Sequence, residues 1–315
     1  MYKNKKIAVV VPAYNEELQI VKVIETMPSW IDAIIIVDDC STDQTYKIIT
    51  QASKKDERII PLHHDINQGV GGAIATGYKW ARDHNFDAAV VMAGDAQMDP
   101  SDLPLLLDPV VNDEIDYAKA NRLIYPNAYS LIPKSRFWGN SILSLFTKIA
   151  SGYWHISDSQ TGYTVINSRA LHTIDWDQMY KRYGQPNDLL VKLNVFNFRV
   201  RDIPLKPVYN VGETSKLKIR KVVFTLSFLL VKLFFWRLKQ KYIIRDFHPL
   251  IFFYYFGFMW LFLFFGFFIR FCYLWTINSS IPEMTLILTL FSLAIGTQSL
   301  FFGMWFDQEN NKNLR

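Results

Sequence analysis

Along the first two-thirds of the chain, short apolar runs alternate with helix-like segments. Ile7–Val11, Ala33–Val37, the weaker Ile59–Leu62 and Ala88–Met92 have strand length. Glu17–Met27, Ser41–Lys54 and Gly71–His84 lie between or after them as expected helices. The strand-like runs are continuously apolar rather than alternating, the pattern of parallel strands covered on both faces. A fifth strand is expected over Tyr117–Ala120. In such an α/β sheet the ligand crevice lies beyond the carboxyl ends of the strands. Chemistry is therefore to be sought where each run stops.

Beyond Pro207 the pattern changes, as aromatic and aliphatic residues crowd together. Leu250–Phe268 and Met284–Phe306 carry no charge, and each as a helix covers the roughly 30 Å hydrocarbon core of a bilayer. Two such stretches in succession are read as transmembrane helices. Between them the basic and acidic residues are few (Arg270, Glu283).

Charge sharpens this division. The net charge is +5, yet Lys216 to Arg245 holds nine Lys or Arg and no Asp or Glu, leaving the remainder slightly acidic. Cations just before a span mark the cytoplasmic side and attract anionic headgroups. A nucleic-acid binder would spread such charge over a folded face, so no nucleic-acid partner is expected. Ile219, Val222, Val223, Leu226, Leu229, Leu230, Leu233 and Phe234 recur at helical spacing, ringed by Arg220, Lys221, Lys232 and Arg237. That segment is expected to lie in the membrane interface. The expected organisation is an α/β domain over 1–215, basic juxtamembrane amphipathic helices over 216–246, two transmembrane helices over 247–306 and a cytoplasmic tail over 307–315. The N-terminal run lacks the length and cleavage site of a signal peptide. The large domain and both termini are expected to be cytoplasmic. Two isolated spans could pack with a neighbour's, which leaves a homo-oligomer open.

The strand ends are all polar. "PAYNEE" (Pro12–Glu17) follows the first run, "DDCSTDQT" (Asp38–Thr45) the second, "NQGVGGA" (Asn67–Ala73) the third and "GDAQMDP" (Gly94–Pro100) the fourth. Each alone has a bland account in helix capping or turn formation. Four together make a rim suited to a base and ribose on the first two loops and a metal diphosphate on the fourth. Cys40 and Cys272 suggest neither a disulfide nor a metal site, and His63, His64, His155 and His248 show no ligand spacing.

In order and spacing, "VVVPAYNEE", "IVDDCSTDQT", "NQGVGGAIATGY" and "AGDAQMDP" resemble the family 2 glycosyltransferases of GT-A fold, over roughly residues 5–215. With the C-terminal spans, the resemblance narrows to the polyprenyl-phosphate glycosyltransferases of the dolichol-phosphate mannose synthase type. It implies a Rossmann-like, mostly parallel sheet, a nucleotide-diphosphate sugar donor, a polyprenyl phosphate acceptor (undecaprenyl or dolichyl) and a divalent cation, Mg2+ or Mn2+.

The family pattern at the fourth strand is Asp-x-Asp-x-Gln, and this chain has Ala93-Gly94-Asp95-Ala96-Gln97. The first Asp is missing. Magnesium commonly takes one or two carboxylates together with phosphates and waters, so Asp95 and Gln97 are the expected metal ligands, with Asp99 as an outer helper. The resemblance places donor binding on Pro12, Ala13, Tyr14 and Glu16 and on Asp39, and Asp38 is equally suited. Gly69, Gly71 and Gly72 would allow close backbone approach to the donor.

On the acceptor side, Arg122 matches the family's phosphate arginine, and Arg136 in "KSRFWGN" is a second candidate; a planar guanidinium fork suits phosphate. "DSQTGY" (Asp158–Tyr163) resembles the segment that closes the pocket. Lys216, in "VGETSKLK", is either a phosphate contact or the first of the basic run. Relatives with hydroxyl acceptors carry a Glu-Asp pair where this chain has Asn187-Asp188, the Asp acting as base. A lipid phosphate is already ionised and needs no base, so inverting transfer of a hexose to such a phosphate is the first expectation, with Asp188 kept as a pocket candidate beside Asp95 and Arg122. Elongation of a glycan with Asp188 as base, and a donor-binding scaffold without activity, are the alternatives.

Overall fold

The computed structural model describes residues 1–208, 219–278 and 282–315. They form two compact units, Met1–Phe234 with Leu314–Arg315, and Phe235–Asn313.

In the first unit β1 (Ile7–Ala13), β2 (Ala33–Asp38), β3 (Ile59–His63) and β4 (Ala88–Val91) alternate with α1 (Ile20–Glu25), α2 (Thr45–Ser53) and α3 (Val70–Asp83). Then come α4 (Leu103–Val111), β5 (Tyr117–Asn121), α5 (Ala128–Leu131), α6 (Lys134–Ser151), β6 (Thr164–Asn167), α7 (Ser168–Thr173), α8 (Gln185–Val195) and β7 (Val200–Pro204). The sheet order is β3-β2-β1-β4-β6-β5-β7. Only β6 runs against its neighbours β4 and β5.

Both faces are covered, as the unbroken apolar runs require. Ala8, Val10, Ile35 and Val37 pack with Tyr78 of α3 and Leu189 and Leu193 of α8. Val9, Val11, Ile34 and Ile36 pack with Ile20 of α1, Ile49 of α2 and Leu106 of α4. Each fully buried Val, Ile or Leu side chain among them contributes about 1.5–3 kcal/mol. At the far edge, Leu314 O accepts from Val200 N at 3.1 Å, so the end of the chain belongs to this unit.

The first two helices start later than their sequence patterns, for one reason. Side chains of each preceding loop take the first-turn N–H groups of the other. Glu16 N donates to Thr45 Oγ1 and Glu17 N to Asp43 Oδ2, while Thr42 N donates to Asn15 Oδ1 and Gln44 N to Glu17 Oε2. Helix begins only where this lacing ends.

Helix α9 (Ile219–Lys239) corrects an expectation. Of the stripe expected to face lipid, Leu226, Leu229, Leu230, Leu233 and Phe234 are buried. Gly184 lies directly against Leu226 and Leu229, where a side chain would collide. The exposed apolar residues are instead Phe224, Phe228, Val231 and Phe235. The stripe packs on protein, and other apolar residues face outward. Lys216, Tyr209, Gly212 and Ser215 lie outside the described residues, and so do the side chains of Ile219, Arg220, Lys221, Val222 and Val223.

In the second unit, α10 (Leu250–Asn278) extends past its uncharged stretch at the C-terminal end and α11 (Glu283–Asn310) at both ends, and both are long and apolar enough to cross a membrane. They pack closely through small residues, as lipid-embedded helices do: Gly296 meets Leu261, and Gly303 meets the Tyr254 ring. A π-helical turn, Gln240–Arg245, follows α9. Arg237, expected on the exposed basic ring, is fully buried. Its guanidinium grips Asp307 at 2.7 and 2.9 Å, and Tyr242 OH donates to the same carboxylate. Lys241 Nζ donates to Asn311 Oδ1 at 2.6 Å. A buried guanidinium needs such a partner, which overrides the helical pattern that placed it outside.

Candidate active site

The rim expected from the sequence is formed by the ends of β1, β2, β3 and β4. Parallel pairing sets Ala13 beside Asp38 and Asp38 beside His63, and Gly94 N donates to Pro12 O at 3.3 Å. Pro12, Ala13, Tyr14, Glu16, Asp38, Asp39 and Asp95 are thus gathered at one end of the sheet. Tyr14 presents a ring that is 40% exposed.

The two adjacent aspartates, equivalent by sequence, are not equivalent in structure. Asp39 is engaged on both oxygens: Oδ1 accepts from Gln68 N at 2.8 Å and faces His64 Nδ1 at 2.8 Å, while Oδ2 accepts from Gly69 N at 2.7 Å. His64 Nε2 in turn meets Thr76 Oγ1 at 2.9 Å. Asp38 Oδ2 accepts from Ser41 N at 3.2 Å and faces His63 Nδ1 at 2.8 Å. Its Oδ1 is, among the described residues, the only buried carboxylate oxygen with no hydrogen-bond partner. Such an orphan is costly in a folded protein and points to an absent donor group.

Spacing in the sequence assigns the two histidines no role. The sign that could have found them was register: consecutive His after strand three, opposite consecutive Asp at the end of strand two.

The glycines allow close approach within the protein itself. At Gly69 (φ +88°) an added Cβ would lie 2.5 Å from Lys181 O, and at Gly71 2.2 Å from Tyr180 O. Gly72 would meet Gln68 Cβ at 2.6 Å, and its N–H donates to Lys181 O at 3.1 Å. Gly69 and Gly71 thus lie directly against the chain's own 180–182 segment.

On the fourth loop Asp95 Oδ1 accepts from Gln97 N at 3.1 Å, closing a tight turn through Ala96 at φ 56°. Asp99 Oδ1 accepts from Ser101 N at 2.9 Å and so caps the short 3-10 turn Pro100–Asp102. Among the described residues no group of three or more His, Cys, Asp or Glu is placed to hold a metal. Asp95 and Gln97 supply one carboxylate and one amide oxygen. That set fits a hard cation such as Mg2+ or Mn2+ drawing its other ligands from a diphosphate and water, and it is not a protein-only cage.

Arg122, expected to meet an acceptor phosphate, forks onto Asp158. Its Nε and Nη2 donate to Oδ2 and Oδ1 at 2.8 and 2.9 Å, and its backbone N–H donates to Oδ2 at 3.0 Å. Burial pushes the Asp158 carboxyl up, but the Arg122 hydrogen bonds and charge, with Lys119 nearby, outweigh it and hold the group below the ordinary range. The pair ties the "DSQTGY" segment to the end of β5. Arg136 is exposed in the first turn of α6. Asp188 is buried in the first turn of α8, where Oδ2 accepts from Tyr180 N at 2.7 Å and Lys192 Nζ at 2.9 Å. Asn187, fully buried, accepts from Thr147 Oγ1 at 3.0 Å.

The family model for glycosyl transferase family 2 matches residues 8–175, which holds all four rim loops. The chain belongs to glycosyltransferase family 2. It is an enzyme of GT-A fold, and within the family it resembles the polyprenyl-phosphate glycosyltransferases. The UDP-N-acetylglucosamine–dolichyl-phosphate N-acetylglucosaminyltransferase of Methanococcus voltae is 32% identical, over 65% of this chain and 87% of that one. The undecaprenyl-phosphate mannosyltransferase of Micrococcus luteus is 26% identical over 67% and 87%. Glucosyl-3-phosphoglycerate synthase from Mycobacterium tuberculosis, solved with Mn2+, uridine diphosphate and glucosyl-3-phosphoglycerate, shares the fold with a TM-score of 0.55. It is 18% identical, over 74% of this chain and 80% of that one.

Proposed function

We propose that this glycosyltransferase is membrane-anchored and moves a hexose, with inversion, from a nucleotide-diphosphate sugar to a polyprenyl phosphate. The observation that carries the reading is the state of Asn187 and Asp188. Where hydroxyl-acceptor relatives carry an acidic pair, this chain has a neutral buried amide and an aspartate held by Tyr180 N and Lys192 Nζ. That arrangement suits an acceptor with no proton to lose. The names of the Methanococcus and Micrococcus relatives support the same acceptor class.

In this reading an oxygen of the lipid phosphate attacks the anomeric carbon, a new C–O bond forms, and the bond to the nucleotide diphosphate breaks. Both electrons leave with the diphosphate, and no proton is exchanged. Asp38 Oδ1 takes an N–H of the base, while Tyr14 and the Pro12–Glu16 backbone line the nucleotide. Asp95 and Gln97 would hold the divalent cation, which when bound would supply positive charge beside the diphosphate. Arg136, together with Arg122 from its place on Asp158, receives the acceptor phosphate. Lys216 is kept as a third phosphate contact.

Orientation follows from the chain's path. Two helices of spanning length separate residue 234 from Leu314, and both of those belong to the first unit. An even number of crossings leaves the domain and both termini on one side, and the basic run preceding the spans favours the cytoplasmic one.

Membranes containing the protein, given radiolabelled nucleotide sugars, Mg2+ or Mn2+ and undecaprenyl or dolichyl phosphate, are expected to yield a mild-acid-labile glycolipid. A product that forms only on a pre-existing glycan would refute the phosphate acceptor.

A further inference from the structure

Helix α6 is inside out. A helix on a soluble domain buries its apolar stripe and exposes polar residues. Helix α6 buries Ser144, Thr147, Ala150 and Ser151 and exposes Trp138 (59%), Ile142 (56%), Leu145 (53%) and Phe146 (53%). At about 100° per residue these four fall within an arc of roughly 100°, opposite the buried set. The buried face is committed to polar contacts, since Thr147 Oγ1 reaches Ser159 Oγ at 3.2 Å and Asn187 Oδ1 at 3.0 Å. The helix cannot roll over to hide its apolar side without breaking them.

Charge identifies what covers this face. Helix α6 itself carries Lys134, Arg136 and Lys148 and no Asp or Glu. Lys134 and Lys148 border the apolar arc, and Tyr129, 51% exposed, precedes it. An exposed aromatic and aliphatic stripe edged by lysines is the composition of a helix lying in an anionic lipid interface. The same chain carries two helices able to cross a bilayer.

We propose that α6 is a membrane-surface contact of the catalytic domain itself, its Trp138–Ile142–Leu145–Phe146 face seated among the headgroups and upper acyl chains of an anionic leaflet. The contact rests on the membrane-anchored reading above and adds to it. The acceptor arginine candidate Arg136 lies in the first turn of this helix, so the contact holds the phosphate-binding end of the site at headgroup depth.

The test uses the full chain in nanodiscs of phosphatidylcholine and phosphatidylglycerol. Cys40→Ser and Cys272→Ser remove the native thiols, and an environment-sensitive fluorophore is attached at Ile142→Cys or, as a solvent control, Lys54→Cys. The label at 142 is expected to be quenched by spin-labelled lipid about threefold more than the control, and shielded to a similar degree from aqueous iodide. A second label site, Leu145→Cys, guards against a local disturbance at 142. Equal quenching at 142, 145 and 54 would overturn the proposal. So would energy transfer between labels on two copies without lipid quenching, which would make the face a self-association surface. Neither readout depends on sugar transfer, so failure of the acceptor assignment leaves the result interpretable.

Discussion

Replacing Asp39 and Asp38 in turn separates two carboxylates that lie side by side in the chain. Asp39→Ala removes the acceptor for Gln68 N, Gly69 N and His64 Nδ1. An unsatisfied buried donor costs about 1–3 kcal/mol, and the two amides are only partly buried, so the loss should total about 2–4 kcal/mol. For a domain of this size that lowers the unfolding midpoint by about 5–15 °C. Asp38→Asn differs. Its amide oxygen can replace Oδ2 toward Ser41 N and His63, so stability should change by less than about 1 kcal/mol. The group at the Oδ1 position, however, turns from acceptor to donor. If that oxygen receives the nucleotide base, the lost charge-assisted hydrogen bond raises donor KM by about 10- to 100-fold.

The assay pairs thermal unfolding of the detergent-solubilised protein with donor titration. The reasoning fails if Asp39→Ala melts with wild type, or if Asp38→Asn binds donor normally.

Other outcomes follow from the same contacts. Asp95→Ala should abolish lipid-linked product under both Mg2+ and Mn2+ while leaving the unfolding free energy within about 1 kcal/mol of wild type; residual transfer above a tenth of wild type would remove Asp95 from the site. Asp158→Asn should destabilise by about 2–3 kcal/mol at neutral pH, less than for a fully buried pair because Arg122 is 26% exposed. Since the Asp158 carboxyl is held low in the fold, its contribution is fully present above the unfolded value, about 3.9. It is lost as pH falls through the lower folded value, so the gap between wild type and Asp158→Asn should close below about pH 4. Asp307→Leu alone should cost about 3–5 kcal/mol by leaving Arg237 buried without its partner. Adding Arg237→Met should recover much of that, as read from unfolding midpoints in one detergent.

The strand ends were legible because buried parallel strands must be continuously apolar and must stop at polar loops. That logic located β1 to β5 within one or two residues. It could not reveal β6, which is short, lies between β4 and β5 and runs the other way. Nor could it show that the α1 and α2 patterns overstate the helices, because the competing bonds join residues about 27 positions apart. For α9, periodicity reported a buried stripe correctly but could not say whether protein or lipid covered it. Both coverings reward the same residues, and the small Gly184 opposite Leu229 decided the matter. Arg237 fell to the same limit, since its partner Asp307 is 70 residues away.

The site residues show a related limit of motif reading. Carboxylates at strand ends look alike in a sequence, yet most here are engaged by the protein's own donors. Asp39 takes two backbone amides, Asp43 takes Thr45 N and Glu17 N, and Asp99 takes Ser101 N. Asp158, in the loop before β6, takes Arg122. Loops that leave a sheet edge expose amide groups with no ladder partner, and a short acidic side chain is well suited to collect them. A rim rich in Asp is therefore first a solution to a backbone problem. What remains for a ligand is counted in oxygen atoms rather than residues. By that count Asp38 Oδ1, buried and without a partner among the described residues, is the oxygen on which the proposed contact with the donor's base rests.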